Sequence, residues 1–194
     1  MPVAGPRYPG TVANLSNAGT SESAEAWVNP TNVSADDGTE ASITAATFDS
    51  PDISQLLVCS NFGFSADIPA GSTINAITVE IERRDGGIGA ASDNRVQLAK
   101  GTGFANLVGS NFALGTDWPT TASVATYSGG LWGTTWDRTD VVSSGFAVML
   151  SVQADAANTD IFVDFVRVSI DYTPAATPGR VWRRKSAHRY ATLR

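Results

Sequence analysis

The chain has 194 residues, a length typical of one domain that can bury a hydrophobic core without disulfides or metals. Hydrophobic residues make up 42% of it and charged residues 16%, below the roughly 25% of an average globular domain. With one cysteine and one histidine, Cys59 and His188, the composition excludes an intrachain disulfide, a Cys/His zinc cluster and a Ser-His-Asp site in the body.

Residues 1–26 are rich in Pro, Gly, Ser and Asn and predict an extended or irregular N-terminal arm. After the arm, short runs of alternating apolar and polar residues follow, the pattern of half-buried β-strands. The clearest run places Ile77, Val79 and Ile81 on one face. The predicted strands cover 41–47, 55–59, 77–83, 95–99, 123–127, 146–152 and 162–172.

Turn signals such as Asp-Gly-Gly at 85–87 and Ser-Gly-Gly at 128–130 separate these runs. Seven or more short strands, each with one apolar face, need two sheets packed face to face. The sequence therefore predicts an all-β protein, a two-sheet antiparallel β-sandwich with jelly-roll-like connections, over residues 27–172. Cys59, within an apolar run, is predicted to be a small core residue.

A Pro- and Ala-rich linker at 173–179 ends the body and opens a basic C-terminal tail, 173–194. The tail holds six basic and no acidic residues, which leaves 7 basic and 19 acidic residues elsewhere, a net charge of −12. We expect the tail to leave its own sandwich and bind an acidic surface of a neighbouring protein. The predicted partner-binding residues are Arg180, Trp182, Arg183, Arg184, Lys185, Arg189, Tyr190 and Arg194.

Two charged residues share a face with apolar neighbours in the predicted strands, Arg83 beside Ile81 and Asp164 beside Val166. A buried charge without a partner is costly, so the pattern predicts a structural ion pair between Arg83 and Asp164. A functional site at this position is the alternative interpretation.

Four tryptophans of the body allow two interpretations. They can form an aromatic platform for sugars, since an indole ring is flat and amphipathic, or they can fill the core and subunit contacts, which we favour. The four are Trp27, Trp118, Trp132 and Trp136. We expect no catalytic residues, no cofactor and no metal site. Oxygen ligands at 153–160 lack the spacing of a known calcium loop.

The order of several motifs resembles a family of β-sandwich proteins encoded by tailed bacteriophages among their virion structural genes. The motifs are WVNP at 27–30, NFGF at 61–64, IPAGSTI at 68–74, VEIERR at 79–84, LWGTTW at 131–136, FAV at 146–148 and VDFVRV at 163–168. The resemblance covers about residues 25–173 and leaves out the arm and the tail. It implies a particle protein and carries no catalytic residues.

We therefore expect a structural protein of the virion, made in the host cytoplasm. The first hypothesis is a capsid decoration or cement protein that binds the major capsid protein or other virion proteins. The second is a tail or fibre component that binds a host receptor or glycan. A homo-oligomer is expected, with a trimer favoured. A membrane partner is not expected, and nucleic acid is disfavoured because the acidic body repels phosphate.

Overall fold

The computed structural model describes residues 1–16, 25–44, 48–87, 91–101 and 106–176. Within these ranges the protein is nearly all β, with one short α-helix, α1 (Arg138–Val141), and two single 3-10 turns, Pro30–Val33 and Phe64–Ala66. The strands are β1 (Val3–Arg7), β2 (Thr11–Leu15), β3 (Ala41–Thr44), β4 (Leu56–Ser60), β5 (Thr73–Asp85), β6 (Ala91–Ala99), β7 (Leu107–Val108), β8 (Ser123–Ser128), β9 (Ala147–Ala154) and β10 (Asp160–Thr173).

These strands form two antiparallel sheets. Sheet A has the order β1-β10-β5-β8, with β3 also paired to β10, and sheet B has the order β2-β4-β9-β6-β7. From β3 to β10 the chain changes sheet at every step except between β6 and β7. This alternation is the connectivity of a jelly roll, so the predicted fold class is confirmed.

The core lies between the inner faces of the two sheets. Strands β5 and β10 provide its longest ladder, in which Ile77 pairs with Ile170 and Val79 with Val168. All four of these residues are fully buried. Burying a side chain of this size contributes about 1.5–3 kcal/mol, so this ladder is a main source of stability. Cys59 is also fully buried, as predicted, and burial raises the pKa of its thiol.

The N-terminal arm is extended, as predicted, but most of its described part belongs to the sandwich. Strand β1 pairs with β10 at one edge of sheet A, where Ala4 lies opposite Ile170. Strand β2 pairs with β4 at the edge of sheet B, where Val12 lies opposite Cys59. The arm has no strong strand pattern of its own. Its ordering comes from the free edges of β10 and β4, which need partners for their backbone groups.

The outer faces of the two sheets differ. The outer face of sheet A carries charged residues such as Glu80 and Arg167, which are part-exposed. The outer face of sheet B is buried around Met149 and Leu56, with the polar Gln97 opposite Met149. No helix in the described part of the chain is long and apolar enough to cross a membrane.

Candidate functional site

The predicted pair between Arg83 and Asp164 does not form. Arg83 lies opposite Val163 in the β5–β10 ladder and points into the core. A β-bulge follows, so that Asp164 and Phe165 together lie opposite Glu82. Because a bulge adds one residue, Asp164 turns to the outer face of sheet A, and the prediction of this pair is wrong.

The partner of Arg83 is Asp93, which β6 supplies from the opposite sheet. The Arg83 guanidinium donates from Nη1 to Asp93 Oδ1, and the exposed fractions of the two side chains are 5% and 0%. The pair thus crosses the core and links sheet A to sheet B. The sequence pattern did not predict this contact, because the predicted strand 95–99 stops short of Asp93 and a second bulge, between Asp93 and Arg95, turns this carboxylate inward.

Asp93 accepts three further hydrogen bonds. Trp118 Nε1 donates to Oδ1 at 2.8 Å, Tyr127 Oη donates to Oδ2 at 2.8 Å, and the Leu114 backbone N–H donates to Oδ2 at 2.9 Å. The Arg83 guanidinium also lies 5.0 Å from the Trp118 ring centroid, close enough for a cation–π contact. Burial, and secondly the Asp93 charge, raise the pKa of Tyr127. With four donors around it, Asp93 has no spare acceptor for a substrate, whereas Arg83 Nε is buried without a hydrogen-bond partner in the described part of the chain. The network therefore has a structural role.

The four body tryptophans are core residues, as favoured from the sequence. Trp27, Trp118, Trp132 and Trp136 are 2%, 2%, 0% and 5% exposed. The indole N–H groups of Trp27, Trp132 and Trp136 donate to the backbone carbonyls of Gln55, Ile77 and Leu131. A buried, hydrogen-bonded indole offers no face to a sugar, so these residues do not form a binding platform.

Three carboxylates meet on the outer face of sheet A and form what we call the acidic trio: Asp36, Glu82 and Asp164. One oxygen from each lies within 4.8 Å of the other two. The Gly38 backbone N–H donates to Asp164 Oδ1 at 3.1 Å and holds this side chain in place. The pKa of Asp164 is raised, mainly because the carboxyl group is buried and also because the charge of Asp36 lies nearby. The backbone hydrogen bonds to Asp164 lower the pKa but do not cancel this effect.

The trio has the chemistry to contribute to a site for a hard cation. Burial and then the Asp164 charge raise the pKa of Glu82, which is the behaviour of carboxylates that repel one another. Arg167 offsets part of this negative charge, because its Nη1 lies 3.9 Å from Asp36 Oδ2. A Ca²⁺ ion takes six to eight oxygen ligands, so the three carboxylates supply only part of a coordination shell.

The two ends of the described chain lie side by side. Asn75 Nδ2 donates to Thr173 Oγ1 at 3.0 Å and contacts Met1 Sδ at 3.3 Å. The Tyr172 backbone N–H donates to the Pro2 carbonyl at 3.2 Å. We call this end of the sandwich the exit end, because the basic tail begins there.

Paired charges mark the exit end. Arg7 and Asp67 form two hydrogen bonds of 2.8 Å each, and Lys100 Nζ lies 3.1 Å from Asp140 Oδ2. The acidic trio lies toward the opposite end of β10, nine residues before Thr173, or roughly 30 Å along the strand. The predicted partner-binding residues from Arg180 to Arg194 lie outside the described residues, so their role stays a prediction.

Together, the topology and the buried Arg83–Asp93 network define a jelly-roll β-sandwich whose two sheets are tied by a charged pair through the core. Comparison of the chain with protein-family models, with curated proteins and with solved structures finds no match. The resemblance to virion proteins of tailed phages therefore stays a hypothesis, and the function is argued from the residues.

Proposed function

We propose that this protein is a non-catalytic structural component of a tailed-phage particle, a capsid decoration protein that binds neighbouring shell subunits. Two lines support the proposal: the motif order that resembles virion proteins, and a jelly-roll sandwich, an architecture used in viral capsid and lectin domains. A fold alone does not specify a function, so the proposal depends mainly on the basic C-terminal tail as the means of attachment.

The main observation is the placement of the charges relative to the chain ends. The described chain ends at the exit end, beside Met1, and six basic residues follow in the sequence, while the rest of the chain has a net charge of −12. A rigid sandwich with a basic segment at one end is suited to attachment through that segment to an acidic protein surface.

A tail or fibre protein that binds a glycan is the alternative. That hypothesis needs exposed aromatic side chains, and the four body tryptophans are at most 5% exposed. Decoration is therefore the better supported role. Copy number separates the two, because a symmetric shell takes up many copies and a tail takes up few.

The test uses purified particles and quantitative mass spectrometry. We expect many copies of the wild-type protein per particle. The variant that combines Arg183→Gln, Arg184→Gln and Lys185→Gln should dissociate from particles at a lower salt concentration than the wild type, since salt screens such contacts. Arg7→Gln is the matched control, because Arg7 is an exposed cation of the body that already pairs with Asp67. Absence of the protein from particles, or equal salt resistance of all three proteins, would contradict the proposal.

A further inference from the structure

One face of the sandwich is more apolar and more buried than a two-layer fold explains. We call it the outer apolar face: Leu56 and Val58 of β4, Ala147 and Met149 of β9, and Ala99 of β6. The inner residues of the same strands, such as Leu57 and Val148, belong to the core between the sheets. The outer apolar face is therefore a second cluster on the far side of sheet B.

Every residue of this face is at most 2% exposed. In a two-layer sandwich the outer face of an antiparallel sheet contacts water and carries polar residues, as sheet A does with Glu80. Burial to this degree means that other parts of the chain cover the centre of sheet B, among them Gln97, which lies opposite Met149 and donates to the Gly109 carbonyl. Among the described residues, the apolar side chains that pack against the face are Leu15 and Leu107, which are themselves part-buried and lie on the edge strands β2 and β7.

The chain outside the described ranges offers few segments that can form a covering layer. Residues 17–24 and 45–47 contain only Ala, Asn, Gly, Ser, Thr and Glu, and residues 88–90 and 102–105 contain one large apolar side chain each, Ile88 and Phe104. The segment 177–194 contains four: Val181, Trp182, Tyr190 and Leu193. It is also the longest of these segments, with 18 residues.

The position of the exit end allows this segment to reach the face. Thr173 pairs with Thr73, and Thr73 bridges to Asp137, just before α1. Lys100, directly after Ala99, contacts Asp140 in α1. Ala99 and Ala147, which pair with each other, thus lie at the same end of the sandwich as Thr173.

The distances fit as well. The two sheets of a sandwich lie about 10 Å apart, and a covering layer adds about 10 Å more. Residues 174–181 extended span roughly 26 Å, enough to pass from sheet A around sheet B to its outer side.

We propose that residues 181–193 dock on the outer apolar face of their own chain, with Trp182, Tyr190 and Leu193 against Met149 and Leu56. The segment's arginines and lysine then point away from sheet B and form a basic surface. This differs from the expectation that the tail leaves its sandwich, and it deepens the proposed function: the docked segment presents the cations that a particle partner binds.

The experiment measures how fast hydrogen peroxide oxidises Met149 in the full-length protein, relative to N-acetylmethionine in the same solution. A covered thioether reacts slowly, and oxidation adds a mass that peptide mass spectrometry locates. We expect Trp182→Ala, Tyr190→Ala and Leu193→Ala together to speed Met149 oxidation by roughly tenfold or more, because the layer opens locally. The combined Arg183→Gln, Arg184→Gln and Lys185→Gln variant is the control, and it should leave the rate unchanged.

Cys59 reports on global unfolding, because it lies on the inner face of β4, next to Val58. Its thiol should stay unreactive to a disulfide reagent in every variant. In the wild type, a nuclear Overhauser effect between the Met149 methyl group and the Trp182 indole tests the contact without any substitution.

The opposite result is that Met149 resists oxidation when Trp182, Tyr190 and Leu193 are all replaced by Ala, and shows no contact between its methyl group and the Trp182 indole in the wild type. That result would show that another segment covers the face, and it would overturn the proposal. Protection that is lost on dilution would mean that a neighbouring copy supplies the segment, which also overturns docking within one chain. The test uses purified protein without particles. Its failure is therefore separate from a failure of particle attachment.

Discussion

The buried network around Asp93 predicts a large and specific loss of stability when this carboxylate is neutralised. Asp93→Asn keeps the size of the side chain but replaces one acceptor oxygen by a donor NH₂ group. The Arg83 charge then stays in the core without its counter-ion, and at least one of the donors Trp118 and Tyr127 loses its acceptor. Removing one partner of a buried pair costs about 3–5 kcal/mol.

Chemical denaturation followed by tryptophan fluorescence measures this loss, because four of the five tryptophans lie in the sandwich. For a protein of this size the expected cost corresponds to a fall in Tm of about 6–20 °C. Arg7→Ala is the matched control. It breaks an ion pair whose arginine side chain is 46% exposed, and it should cost about 1 kcal/mol or less.

A double-mutant cycle measures the interaction between Arg83 and Asp93 directly. Arg83→Met combined with Asp93→Asn should cost less than the sum of the two single substitutions, by roughly 0.5–3 kcal/mol, because each single change strands the other group. If Asp93→Asn alone costs less than about 1 kcal/mol, the network does not hold the two sheets together.

Three further predictions follow from other contacts. The folded state holds the pKa of Glu82 above its ordinary value of 4.5, so the stability of the protein should fall as the pH rises through that range. Glu82→Gln should therefore stabilise the protein at pH 7, by less than about 1 kcal/mol, but not at pH 3. Thermal melts at both pH values will check this. Chelator and reductant should leave Tm unchanged, and a fall of more than about 4 °C in chelator would instead indicate an ion at the acidic trio. Gly129→Ala should lower the free energy of unfolding in urea by about 1–3 kcal/mol, because a Cβ there collides with the Phe112 ring. Gly115→Ala is the control and should be nearly neutral, because the space around Gly115 is open. Equal effects of the two substitutions would contradict this explanation.

The architecture and most of the core could be predicted from the amino-acid sequence alone. Strict alternation in runs such as 77–83 requires one face to be buried, and many short strands with one apolar face can bury them only between two sheets. Burial of Cys59 was predicted from the apolar run around it, and burial of the body tryptophans was favoured over a sugar-binding platform. The segment 146–152 was predicted as an alternating strand, but FAVML at 146–150, like LLVC at 56–59, lacks alternation, a feature typical of a strand that is buried on both faces.

Which charged side chains meet became clear only from the folded arrangement of the strands. Two β-bulges, at Asp164 in β10 and after Asp93 in β6, shift the period of two by one residue, so each carboxylate lies on the face opposite to the one that alternation assigns. A bulge depends on how a strand pairs with its neighbour, and the alternation within one strand does not contain that information. For the same reason the pairing of β1 and β2 was set by the free edges of distant strands, β10 and β4, and not by the residues of the arm.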